Sequence, residues 1–177
     1  MRTVSLKPAP VTLEALEDRL ALQQLAWAYC HAIDRRDFIL LRSLYHDDAI
    51  DDHGSLFCGS PDEYVAWLPS MLANWSATAH LIHNMLFLID GEQAEGELCA
   101  TAYHRAVDGT REFIGHGRYL DEYRRRDGVW RIFRRTLVVD WEEERRAGPA
   151  PAAGLPYGRA SDGDPVFERL PMFAAQR

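Results

Sequence analysis

Asp34 and His80 are the two residues whose types and settings most suggest chemistry. Asp34 lies in Ala-Tyr-Cys-His-Ala-Ile-Asp-Arg-Arg-Asp-Phe (28–38), toward the end of an amphipathic helical pattern. His80 lies in Thr-Ala-His-Leu-Ile-His-Asn (78–84), just before an apolar, strand-like run. A carboxylate that meets an imidazole fixes its tautomer and raises its basicity. That is what taking a proton from carbon near neutral pH requires when no cofactor assists. Each residue also has an ordinary structural use. Asp34 could cap a turn or pair with its arginine neighbours, and His80 could satisfy carbonyls at a helix end. The elements that carry them decide between these readings.

Other side chains are candidates for the same pocket. His104 follows Ala100 and Ala102 at strand spacing, so it shares a face with two small residues that leave room for a ligand. Arg135, read on one face with Phe133, Leu137 and Val139, would be a charge on an apolar surface in need of a partner: an Asp140-type neighbour or a substrate oxygen. Tyr29 is off the helical line of Asp34 but can point into a cavity mouth, and its hydroxyl needs a partner if buried. His83 forms a His-x-x-His with His80. No third ligand follows in a zinc pattern, so no metal site is expected and His83 reads as a strand-start or pocket-rim residue. The five tryptophans, Trp141 among them, read as core or pocket wall. There is no Gly-x-Gly-x-x-Gly, Walker or Gly-x-Ser-x-Gly sequence, so the expected chemistry is acid–base work with no cofactor.

The elements that must position these groups change character midway. After a loose leader (1–11), Thr12 opens a helix on which Leu13, Leu16, Leu20, Leu25, Tyr29 and Ile33 roughly trace one face. A short helix is predicted over Phe38–Tyr45, then a brief strand near Ile50 and a turn at Gly54. Ser60-Pro61 starts a third helix running to about Asn74. Strands are predicted at Met85–Ile89, Ala94–Arg105, Arg111–Arg125 and Val129–Trp141. The Asp-Gly pairs at 90–91, 108–109 and 127–128 supply hairpin signals between them. Helices first and a meander afterwards make an α+β fold. The strand pattern dissolves from about Glu142, leaving a tail (142–177) whose Val166-Phe167 and Leu170–Phe173 are apolar enough to dock over a pocket mouth or a neighbouring subunit.

Composition narrows the function classes. The chain has 177 residues, 47% of them apolar, which suits one domain with a substantial core. With 20 basic and 27 acidic residues its net charge is −7, which argues against nucleic-acid or anionic-membrane partners. Cys30, Cys58 and Cys99 form no CxxC, and an odd count in apolar surroundings suggests reduced, buried thiols and a cytoplasmic location. No run reaches the roughly 20 apolar residues of a membrane span.

The combination of Ile-Asp-Arg-Arg-Asp, Leu-Tyr-His-Asp-Asp-Ala, Thr-x-His-x-x-x-Asn and Tyr-Arg-Arg-Arg-Asp-Gly-Val-Trp-Arg-Ile, spread over 12–141, resembles the SnoaL-like branch of the NTF2-like superfamily. Within that branch it resembles the group of scytalone dehydratase, hexachlorocyclohexane dehydrochlorinase and bile-acid dehydratases. The resemblance implies a cone in which N-terminal helices pack on a curved mixed or antiparallel sheet around one apolar pocket. It implies Asp34 as dyad carboxylate and His80 as base. His104 matches a second pocket histidine, Arg135 a pocket arginine, Tyr29 a lysine position and Tyr119 an asparagine position. Tyr45, His83 and Trp141 complete the expected substrate contacts. Two phenols of scytalone dehydratase are not matched: Ile33 precedes Asp34, and Asp51-Asp52-His53 follows the short strand, so scytalone itself is not the expected substrate.

The implied activity is a cofactor-independent, dehydratase-type elimination on a hydrophobic cyclic, steroid-like or aromatic molecule, in a homotrimer or homodimer, with the departing hydroxyl protonated by His104 or Tyr29 and developing negative charge stabilised by Arg135 or Tyr119. The same dyad would also serve an isomerase, an aldol cyclase or a formaldehyde-releasing lyase. A non-catalytic binder, or a protein like the β-subunit of a ring-hydroxylating dioxygenase, is the alternative from another class.

Overall fold

The computed structural model describes residues 6–7, 10–149 and 152–176; most of the leader lies outside them. Helix α1 (Leu13–Arg35) is capped by Thr12, whose side chain accepts from the Ala15 amide. It ends at Arg36, held in the left-handed region at φ 57°. Asp37 then caps α2 (Phe38–Ser43) by accepting from the Leu40 amide. The capping duty thus falls to Asp37 and leaves Asp34 free for another partner. Strands β1 (Tyr45–Asp52) and β2 (Cys58–Gly59) follow. Helix α3 (Pro61–Leu72) starts with a reciprocal Ser60–Glu63 capping box.

The remaining strands are β3 (Trp75–Asp90), β4 (Gln93–Ala106), β5 (Arg111–Arg126) and β6 (Val129–Arg146). They form one sheet in the order β2-β1-β6-β5-β4-β3. The sheet is mixed, because β1 runs parallel to β6 while all other pairs are antiparallel. The Asp127-Gly128 turn has both residues at positive φ (53° and 76°), as a two-residue hairpin of the favoured twist requires. Helix α1 packs along β3, and α3 covers β1. The core between helices and sheet includes Leu22, Tyr29, Leu41, Leu68, Leu98 and Ile132. No helix among the described residues is long and apolar enough to cross a membrane.

Several expectations change on contact with tertiary structure. Strand β3 begins at Trp75, ten residues before the apolar run, because β4 is long enough to pair with Trp75, Ala77, Thr78 and Ala79 as well. His80 and His83 are therefore inside a strand. Tyr45 opens β1 rather than ending α2, since it pairs with Ile132 of β6. Strand β6 runs to Arg146, its charged end held to β5 by the Arg111–Glu144 and Arg145–Glu112 ion pairs.

On α1, Leu13, Leu16 and Leu20 are exposed; the buried face instead runs through Asp18, Leu22, Leu25, Ala26, Tyr29 and Ile33. Asp18 is buried because it accepts from the Trp130 indole and from Arg125. Only Cys30 is a buried thiol, pushed up to about 12 by burial; Cys58 is exposed on the two-residue edge strand and Cys99 is half-buried. In the tail, Asp164 binds Arg35 at 3.0 Å, while Phe167 and Phe173 flank His31. The described tail thus docks on the last turns of α1.

Candidate active site

The cavity between α1, α3 and the sheet is about 420 Å³, within the range of small-molecule sites. Its walls are largely apolar: Ile33, Leu68, Met71, Trp75, Phe113, Leu137 and Val139. Its floor is small. Ala100 and Ala102 of β4 lie opposite Gly117 and Gly115 of β5, so two adjacent strands present almost no side-chain volume. Gly117 is also obligatory for the backbone, since a Cβ there would sit 2.2 Å from the Val138 carbonyl oxygen at the β5–β6 bulge.

Asp34 and His80 meet at the wall of this cavity, which His80 lines and Asp34 backs. Both carboxylate oxygens engage His80: Oδ2 accepts from the His80 amide at 2.8 Å, and Oδ1 lies 2.7 Å from its Nδ1. A carboxylate beside Nδ1 assigns the proton to that nitrogen and leaves the Nε2 lone pair unprotonated. Burial alone would raise the Asp34 carboxyl, but the His80 hydrogen bonds and charge bring it below its ordinary value. The last turn of α1 and the middle of β3 supply the two partners. This contact needs a β3 that extends back to Trp75.

His104 stands beside the pair. His80 faces Ala102 and Thr78 faces His104 in the β3–β4 register, so the two imidazoles are diagonal neighbours. Their rings meet edge to face at 5.4 Å. Burial, reinforced by His80, pushes the His104 imidazole down to about 3, so it is neutral at ordinary pH. Its Nδ1 is buried without a hydrogen-bond partner among the described residues.

Tyr29 and Tyr119 line the inner end of the cavity, with rings 5.7 Å apart. Tyr29 shares a 2.8 Å hydrogen bond with the hydroxyl of Tyr64, and burial drives all three phenols upward. Arg135 does not line the cavity. It is wholly buried behind these rings, its guanidinium 4.1 Å from the Tyr29 centroid and 4.2 Å from that of Tyr119. Its partner is Asp121 of β5, directly opposite in register, at 2.8 and 2.6 Å. Asp140, the neighbour considered from sequence, binds Arg118 instead. Burial works against the Arg135 charge, but Asp121 outweighs it and holds the guanidinium above its ordinary value. Phe133 is not on the Arg135 face, because a bulge between Glu122 and Tyr123 opposes two residues to one and sends its ring out to Arg124 and Arg126.

The other expected contacts lie off the cavity wall. Tyr45 is buried and donates to Asp51 at 2.5 Å. His83 lies within hydrogen-bond distance of Thr101, which in turn meets His116, a lining residue on which Trp141 stacks. Residues that sequence reasoning did not select do line it, notably His53, Tyr64 and Asn74, while Trp67 and Trp75 are the tryptophans that serve as wall. His53 carried a usable signal in Asp51-x-His53 at a strand end. Nothing in the spacing of Tyr64 distinguished it from core.

The SnoaL-like domain model matches residues 14–136, and the chain belongs to that family. Among curated proteins, Rv2910c of Mycobacterium tuberculosis, itself uncharacterised, is 30% identical over 128 residues, covering 71% of this chain and 87% of its own. Among solved structures, a type 2 hexachlorocyclohexane dehydrochlorinase (LinA) superposes with a TM-score of 0.73 at 21% identity, covering 81% of this chain and 99% of that one. A protein assigned as a scytalone dehydratase from Novosphingobium aromaticivorans superposes at 0.68 and 22% identity, covering 78% and 96%. At such identities these likenesses establish the fold, an α+β cone with an open six-stranded mixed sheet.

Proposed function

We propose that this protein is a lyase that removes water across a carbon–carbon bond of a hydrophobic cyclic substrate, with His80 as general base. The observation that carries the proposal is the engagement of both Asp34 oxygens with His80, which leaves Nε2 as the basic atom in an apolar cavity. His80 Nε2 takes the proton next to a carbonyl or aromatic activating group. The imidazolium that forms is stabilised by Asp34 at 2.7 Å. The carbon electron pair becomes the new double bond, and the hydroxyl on the adjacent carbon takes a proton from an acid lining the cavity and departs as water.

His104, neutral and 5.4 Å from His80, is placed to hydrogen-bond a substrate oxygen as negative charge develops. Tyr29 and Tyr119 offer phenols at the inner end, and Arg135 acts through them, its charge lying under both rings. The named activities of the dehydratase and dehydrochlorinase neighbours are both eliminations, which supports this class. The Ala/Gly floor and flanking tryptophans suit a flat bicyclic or larger ring system.

The test uses a panel of bicyclic β-hydroxy ketones in D₂O, following α-deuterium incorporation by NMR and loss of water by mass spectrometry. Wild type is expected to do both and His80→Ala neither. Exchange that persists in His80→Ala would sink the assignment of the base. Exchange with a rearranged product and no loss of water would move the protein to the isomerase class.

A further inference from the structure

The cavity holds a second carboxylate–imidazole pair at the far edge of the sheet from the first. His53 follows β1, whereas His80 lies on β3, and these strands stand near opposite ends of the strand order. His53 Nε2 is 2.9 Å from Asp51 Oδ1, an ion-pair contact bent away from the straight hydrogen-bond direction. Asp51 is wholly buried and its other oxygen is fixed by the Tyr45 hydroxyl at 2.5 Å. The His53 ring is packed against Tyr64 (centroids 5.4 Å) and Tyr119 (6.4 Å), and its backbone is pinned by a 2.7 Å hydrogen bond to the Phe57 carbonyl. Tyr45, Asp51 and His53 therefore form a supported chain ending on a lining imidazole, and the base mechanism uses none of it.

We propose that His53, supported by Asp51 and Tyr45, is the catalytic acid that protonates the departing oxygen. This rests on the elimination reading above and extends it to the leaving group. Hydroxide is a poor leaving group, so an elimination of water needs a proton donor as well as a base. Among the other lining groups, His104 is kept neutral by burial, the phenols of Tyr29, Tyr64 and Tyr119 are driven up by theirs, and His116 is held through Nδ1 by Thr101 and stacked on Trp141. An imidazolium at 53 faces the Asp51 carboxylate through Nε2 and leaves Nδ1, which has no hydrogen bond among the described residues, to meet the substrate.

The step balances. His80 gains the proton from carbon, the C–H pair forms the double bond, the C–O bond breaks, and its oxygen takes the His53 proton and leaves as water. His80 then returns its proton to solvent and His53 regains one. The assignment also implies how the substrate is oriented: a β-hydroxy ketone whose acidic C–H is turned toward the β3 side and whose vicinal hydroxyl is turned toward the β1 side.

The experiment compares wild type, His53→Gln and Asp51→Asn on a bicyclic β-hydroxy ketone and its β-chloro analogue, with α-deuterium exchange followed in parallel. Chloride departs without a proton. Loss of a general acid is therefore expected to cost His53→Gln roughly 10²-fold or more on the hydroxy compound, only a few-fold on the chloro compound, and to leave exchange by His80 in place. Asp51→Asn is expected to give the same leaving-group pattern. Equal losses on both compounds, or unchanged water elimination, would overturn the role of His53 while leaving the His80 reading intact. Absence of exchange in wild type would overturn the elimination reading, and this inference with it.

Discussion

Asp34→Asn keeps the size of the side chain and changes only what it can accept. In the wild type, Oδ2 takes the His80 amide proton and Oδ1 takes the proton on Nδ1. An asparagine can still accept the amide proton through its oxygen, but its NH₂ group then faces Nδ1 and can only donate. The ring must turn its lone pair toward position 34 and carry its proton on Nε2, so the atom in the cavity becomes a donor. The variant loses both the correct tautomer and the charge that stabilises the imidazolium. General-base catalysis contributes roughly 10²–10⁴-fold, about 2.7–5.4 kcal/mol of barrier at 1.36 kcal/mol per decade. Turnover of a bicyclic β-hydroxy ketone is expected to fall by that factor in kcat, with KM little changed because Asp34 lies behind His80. Steady-state kinetics, together with ¹⁵N shifts of the His80 ring to read the tautomer, test this directly. A variant within about threefold of wild-type kcat, with the tautomer demonstrably switched, would refute the reasoning.

Two further perturbations probe the polar groups around the cavity. His104 has an ordinary value of 6.5 when unfolded and is pushed down to about 3 when folded, so between those values the unfolded chain binds a proton that the folded chain does not. Stability is therefore complete above pH 6.5 and falls as pH drops. Over the interval from 6.5 to 5 the loss is about 2 kcal/mol at 1.36 kcal/mol per unit. Urea unfolding at pH 7 and pH 5 is expected to show a shallower loss for His104→Gln, and an unchanged slope would mean that the imidazole is not kept neutral. Arg135→Met leaves Asp121 as an uncompensated buried charge and is expected to cost roughly 3–5 kcal/mol. The double variant with Asp121→Asn should recover much of it, and an additive double loss would contradict the pairing.

The sequence by itself determined the class of fold, because period is local. Helical recurrence before Asn74 and Asp-Gly turns between alternating runs afterwards are properties of neighbouring residues, and they located the three N-terminal helices and strands β4 to β6, but neither β2 nor the first ten residues of β3. It also picked Asp34, His80 and His104, whose motif settings survive in a single chain. Tertiary structure decided the rest. Whether a polar residue caps a helix or partners a distant side chain depends on what lies across from it: Asp37 caps α2, and Asp34 meets His80 on β3, a strand that β4 extends back to Trp75. Arg135 was legible as a charge needing a partner, but its register opposite Asp121, and the bulge that removes Phe133 from its face, are set by β5–β6 pairing. His53 acquires its place at the cavity from the parallel seating of β1 beside β6 and the covering of β1 by α3, contacts between residues far apart in the chain. Local periodicity places a residue on a face; long-range pairing determines what that face meets.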